Sequence, residues 1–125
     1  RLKFPVIRKT LERCEEVKLK SIVCAATLGE AQKLKKLKPY AIAFEDPKLV
    51  GSGKSITSYN AKNVLKFSKL LKSTKIIPLC GAGISSLDDI KESKKLGCKG
   101  VLISSSIAKV NKPDKLLKDI AGIRK

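Results

Sequence analysis

Three short stretches of this chain carry residues able to do chemistry on a small anion. The first is Tyr40–Ser55: an apolar run from Tyr40 to Phe44, a single carboxylate at Glu45, the stiff pair Asp46-Pro47, then Gly51-Ser52-Gly53. A run of that length suits a buried parallel strand better than a helix, which puts Glu45 where the strand ends. Proline biases Asp46 toward extended backbone, and the glycines let backbone N–H groups come close to an anion. A lone acid at a strand's carboxyl end, followed by such a loop, suits a general base beneath a phosphate-gripping lid. The same residues also describe a salt-bridged surface glutamate beside an ordinary glycine loop. The other two stretches are Gly81-Ala82-Gly83 and Ser104-Ser105-Ser106, each placed directly after an apolar run.

The elements that must position these residues follow from periodicity and capping. Pro5 opens a helix over 5–19, with Val6, Ile7, Leu11, Cys14 and Val17 on one stripe. Residues 21–25 form a strand, and Thr27-Leu-Gly-Glu30 matches a capping box that starts a helix to about Leu37. Pro39 closes that helix before the strand at 40–44. Asn60 is a candidate N-cap for a helix to about Leu71. Ile76–Cys80 is the third strand. Its Pro78 removes a ladder hydrogen bond and calls for a strand start or a bulge. Ser85-Ser86-Leu87-Asp88-Asp89 caps a helix to about Leu96, Gly97 ends it, and 100–103 is the fourth strand. The serine turn 104–106 follows, and Pro113 opens a last helix to about Ile120. Strand–helix alternation implies an α/β fold with a parallel sheet and right-handed crossovers.

Composition bounds the function. The chain has 125 residues, fits one domain, and is 42% hydrophobic, enough for a core. It begins with Arg1 rather than Met, as a processed product or the ordered part of something longer would. No apolar stretch reaches the roughly 18 residues of a membrane span and no signal-peptide pattern is present, so a cytoplasmic location is expected. The net charge of +17 is almost all lysine, spread through the helical segments between apolar positions. With three Phe and two Tyr there is no stacking platform for single strands. The lysines therefore read as solvated helix faces, and a nucleic-acid partner is not expected. Cys14, Cys24, Cys80 and Cys98 show no Cys-x-x-Cys spacing and there is no histidine, which argues against zinc and for reduced thiols. Cys24 and Cys80 fall inside strand-like runs as small core residues.

In parallel α/β folds ligands bind at the carboxyl ends of the strands, so Glu45, the glycine loop, the glycine turn and the serine turn share one rim. Turns after the last two strands of a barrel often hold phosphate. At this point the residues resemble a family. Ala43–Gly53 resembles the glutamate and lid loop of the triosephosphate isomerase family in its archaeal form. Leu79–Ser86 resembles that family's loop after the seventh barrel strand, and Gly100–Ser106 its eighth strand and turn. Arg1-Leu2-Lys3 resembles the residues just after the catalytic-histidine segment.

The resemblance implies that residues 1–125 are the second half of a (βα)8 TIM barrel, from its fourth helix through its eighth, completed by a missing N-terminal half. It implies interconversion of dihydroxyacetone phosphate and glyceraldehyde 3-phosphate in glycolysis and gluconeogenesis, with no cofactor and no metal. Glu45 matches the general base; Val50, Gly51, Gly83, Ser104 and Ser105 match the phosphate-binding positions. The family's electrophilic histidine and substrate-binding lysine belong to the first half, so this half alone is expected to be inactive. The implied partners are a sugar phosphate, the N-terminal half on the same or a separate chain, and further copies in a homo-oligomer, with no membrane. Two departures stand out: Ser106 replaces a common glycine, which tightens backbone approach to phosphate, and Asp46 replaces a common proline. An inner sheet face of Val23, Ala41, Ala43, Leu79 and Leu102, or their neighbours, is left without cover. The second half of another phosphate-binding barrel, or a basic nucleic-acid-binding or non-catalytic module, would carry many of the same turns.

Overall fold

A computed structural model of the chain describes residues 2–122; Arg1, part of one resembling segment, and residues 123–125 lie outside them. The described residues form eleven elements: α1 Phe4–Glu16, β1 Ile22–Ala25, α2 Leu28–Lys35, β2 Ala41–Glu45, α3 Ile56–Tyr59, α4 Ala61–Leu71, β3 Ile77–Gly81, α5 Leu87–Lys95, β4 Gly100–Leu102, α6 Ser105–Ala108 and α7 Pro113–Gly122. The four strands pair in parallel in the order β1-β2-β3-β4. The fold is thus α/β, built of the parallel (βα) units from which TIM barrels are made.

Register divides the strand residues between two faces. Cα pairing of Val23 with Ile42, Ala25 with Phe44, and Phe44 with Cys80 puts one set on the helix side. There Ile42, Phe44 and Cys80 pack with Leu34 of α2 and with Val64, Phe67 and Leu71 of α4. The Phe44 and Phe67 rings stack with centroids 5.3 Å apart. The opposite face carries Ile22, Cys24, Ala41, Ala43, Leu79 and Leu102; of these the small Ala41 and Ala43, expected to lack cover, are already buried. Two sequence expectations are corrected here. Val23 packs against the helix-side core, so Ile22 stands on the open face instead. Cys24 is exposed on that open face and is not a core residue, whereas Cys80 is buried.

Other differences have local causes. α1 stops at Glu16, three residues short of the expectation, because Lys18 turns left-handed at φ +58°. The N–H of Leu19 then bonds the Cys14 carbonyl at 2.8 Å and that of Lys18 the Glu15 carbonyl at 3.0 Å. This is the glycine-type helix stop made with lysine, so composition gave no warning. Asn60 begins α4 without capping it by its side chain; its Oδ1 accepts from Asn63 Nδ2 at 2.8 Å. Pro78 stands one residue before β3 begins to pair with β4, and its carbonyl still accepts from the Lys99 N–H at 2.8 Å. As the second residue of β3 it is already paired with β2 and meets β4 only at that strand's start, where a missing donor is tolerated.

The packing is concentrated in the middle of the chain. α1 and α7 bury no residue completely, while α4 buries four. Truncating the central ring, Phe67→Ala, should therefore destabilise the fold by about 3–5 kcal/mol, and Leu19→Ala, on a residue 65% exposed, by less than about 0.5 kcal/mol. Urea denaturation followed by circular dichroism measures both.

Candidate active site

The end of β2 is apolar until its last residue, so the buried run delivers one carboxylate to the sheet rim. Glu45 pairs with Gly81 and Gly81 with Leu102, which sets the acid on the open face beside the carboxyl ends of β3 and β4. A Cβ on Gly81 would lie 2.5 Å from Glu45 Oε1 and 3.0 Å from Leu102 Cβ. Only a glycine leaves room for the carboxylate to lie across β3 there.

The loop from Asp46 to Ser55 then folds on itself through its own short polar side chains. Asp46 Oδ1 accepts from the Lys48 N–H at 3.0 Å, Ser52 Oγ donates to the Leu49 carbonyl at 2.8 Å, and the Lys54 N–H donates to Ser52 Oγ at 3.1 Å. Its tip is solvent-exposed, with Val50 at 61%. Its return segment is buried at Ser55, Ile56 and Thr57, where the chain enters the short helix α3, missed in the sequence because a single turn has too few residues to show a period.

That return segment crosses the β3 turn at close range. The Ile56 N–H donates to the Ala82 carbonyl at 3.1 Å. Gly83 has φ +69°, and a Cβ there would run into the Lys54 carbonyl. Ala82 itself sits at φ +79°, a left-handed conformation that costs an alanine about 1–2 kcal/mol and that the crossing holds in place. Beyond the turn, Ser86 caps α5 in a full capping box with Asp89. Asp89 Oδ2 accepts from the N–H groups of Ser85 and Ser86, both at 3.0 Å, and from Ser86 Oγ at 2.9 Å. Its Oδ1 accepts from Thr57 Oγ1 at 3.4 Å, and Thr57 shares a 2.7 Å hydrogen bond with Ser55. Burial opposes ionisation of Asp89, yet the donors from Ser85, Ser55 and Ser86 together outweigh it and hold the carboxyl below its ordinary value.

After β4, Ser104 leads into α6, a single turn where the sequence suggested an irregular one. Ser106 Oγ donates to the Ile84 carbonyl at 3.1 Å, tying the β4 turn to the β3 turn. The hydroxyl of the serine that replaces a common glycine thus joins the two turns that wall the cavity. Glu45, Val50, Gly51, Gly83, Ser104 and Ser105 all line one cavity of about 630 Å³. The structure brings every sequence-predicted site residue to this one rim. It adds Gly53 and Lys109, the latter an exposed cation at the end of α6. In a chain with 28 basic residues no sequence signal singled out Lys109.

A parallel (βα) sheet with an acid, a loop and two turns around one cavity at its strand ends is the arrangement in which (βα) folds bind their ligands. Comparison with known proteins supplies the family. The model of the triosephosphate isomerase family matches residues 4–121, and the chain belongs to that family. Curated relatives include the triosephosphate isomerase of Methanobrevibacter smithii, 34% identical over 98% of this chain and 56% of that protein. That of Cenarchaeum symbiosum is 35% identical over 81% of this chain and 46% of its own length. That of Saccharolobus solfataricus is 32% identical over 95% of this chain and 53% of its own. The chain spans about half the length of these relatives. Among solved structures it is similar in fold to the N-acetylmannosamine-6-phosphate 2-epimerase of Clostridium perfringens, with a TM-score of 0.63 and 16% identity over 94% of this chain and 48% of that one. Among the described residues no helix is long and apolar enough to cross a membrane.

The Asp89 network carries a pH signature. Its folded-state pKa is lowered, so its contribution to stability is fully present above the unfolded value of about 3.9 and fades as pH falls through the lower folded value. The stability gap between the natural chain and Asp89→Asn, read from denaturation midpoints, should be constant from about pH 5 to 7 and close below about pH 4.

Proposed function

We propose that this chain is the C-terminal half of a triosephosphate isomerase, with Glu45 as the base that moves a proton between adjacent carbons of a triose phosphate. The observation that carries the reading is the single cavity in which the Glu45 carboxylate, the lid residues Val50 and Gly51, and the two turns at Gly83 and at Ser104-Ser105 meet. In this reading the phosphate is held by backbone N–H groups of those turns. That leaves the adjacent carbons over β3, where Gly81 lets the carboxylate reach them. The reaction serves glycolysis and gluconeogenesis in the cytoplasm.

An enediolate formed by proton abstraction needs a donor to its oxygens, and the sequence holds no histidine. The N-terminal half of the family's barrel supplies that donor and a substrate-binding lysine in this proposal. Three features support such a partner. β1 and β4 are the edge strands of the sheet, each with an unpaired side. The face bearing Ile22, Cys24, Leu79 and Leu102 is apolar and outside the core cluster. Leu2, Phe4, Ile7, Leu11, Ile22 and Leu34 border an apolar groove of about 610 Å³ between α1, β1 and α2. Strands from the first half would continue the sheet at both edges and close it over that face.

The test joins or mixes this chain with the N-terminal half of an archaeal relative and assays dihydroxyacetone phosphate turnover. The chain alone should be inactive, the completed protein active, and Glu45→Gln in the completed protein slower by a factor of about 10² to 10⁴. Full activity of the Gln variant, or turnover of other sugar phosphates but not of triose phosphates, would overturn the assignment.

A further inference from the structure

The β3 turn is held from both sides by residues that the isomerase reading leaves without a role. On the lid side, Asp89 grips the Ser85 and Ser86 amides with Oδ2 and the Thr57 hydroxyl with Oδ1. On the β4 side, Ser106 Oγ reaches the Ile84 carbonyl. We propose that Asp89 and Ser106 are positioning residues of the anion pocket, which set its width by tying the lid's return segment and the β4 turn to the same Gly83 turn. This inference rests on the reading of the cavity as a phosphate site.

The geometry assigns the two ties different jobs. Capping of α5 needs only Ser86 and the Oδ2 side of Asp89. The Oδ1 contact to Thr57 is surplus to the cap, and it lands on a hydroxyl that is itself buried and hydrogen-bonded to Ser55. Ser55 and Thr57 flank Ile56, whose N–H bonds Ala82. A carboxylate at that point therefore fixes where the lid's return segment crosses the turn, and hence how far Gly51 stands from Gly83. Asp89 occupies the Ser85 and Ser86 amides, so those two groups are taken up within the chain and not presented to a bound anion. Ser106 sets the remaining wall: it holds the turn that carries Ser104 and Ser105 at a fixed distance from Ile84. A glycine at that position lacks the hydroxyl for this bond.

Three variants separate these roles from simple stability. Thr57→Val removes the Thr57 hydroxyl's bonds to Asp89 and to Ser55 and leaves the α5 cap intact; Asp89→Asn weakens both the cap and the lid-side contact; Ser106→Ala cuts the link between the turns. Titration of the ¹⁵N-labelled chain with inorganic phosphate, and amide hydrogen exchange at Ile56, give the two readouts. Thr57→Val and Asp89→Asn should speed exchange at Ile56 and weaken phosphate binding, each by about tenfold. Ser106→Ala should weaken phosphate binding severalfold and leave the Ile56 amide protected. In the completed barrel the same variants should raise KM about tenfold while kcat stays within about twofold; a purely structural effect would lower the folded fraction with KM unchanged. Folded variants that keep both the protection of Ile56 and the phosphate affinity would overturn the proposal. Phosphate shifts absent from Gly83 and Ser105 in the natural chain would sink the phosphate reading itself, and unchanged Ile56 exchange in Thr57→Val would then sink the inference separately.

Discussion

The site depends on one crossing, where the chain returning from the lid passes over the turn that follows β3. The Ile56 N–H meets the Ala82 carbonyl at 3.1 Å, and the backbone of Lys54 lies where any side chain on Gly83 would have to be. Backbone packed this closely leaves few alternatives, so the conformation of one loop dictates that of the other. Ala82 pays for this in left-handed backbone at φ +79°. Beneath the crossing, Phe44 and Phe67 stack in the core, which anchors β2 and α4 on either side of the lid. The acid and the turns beside it are therefore held over one packed layer while the tip of the loop, at Val50 and Gly51, stands in solvent.

Much of this was legible in the sequence. The apolar run Tyr40–Phe44 suits a buried strand better than a helix, which puts Glu45 at its end. The glycine and serine turns fell after apolar runs of the same kind, which fixed them to the same rim once the sheet was read as parallel. The Ser86 cap was visible because serine and aspartate stand three residues apart. The contacts between turns were not legible. Thr57 with Asp89 and Ser106 with Ile84 join residues 32 and 22 positions apart, and no local pattern marks such pairs. The lid's return into α3 and the end of α1 at Lys18 escaped for a related reason: one-turn helices and left-handed lysines have no periodic or compositional signature.

The face assignment of β1 shows how a period of two can mislead at an edge. A four-residue strand offers only two residues per face, and Val23 and Cys24 are both compatible with a core. Register with Ile42 and Ala43 decides between them, and it leaves Ile22 and Cys24 on the open side. The same open side contains Leu79 and Leu102, continuous with the rim that carries Glu45. An apolar sheet face running into a polar rim is what the proposed half-barrel requires, so completion of the sheet and completion of the site belong to the same proposal.

The most direct measurement is a crystal structure of the completed protein with a three-carbon phosphate bound. The account predicts phosphate oxygens about 3 Å from the N–H groups of Gly51, Gly83 and Ser105. It also predicts that the Glu45 carboxylate lies about 3–3.5 Å from adjacent ligand carbons. A phosphate bound on the lysine-rich outer faces of the helices, or a Glu45 carboxylate directed away from the ligand, would contradict it.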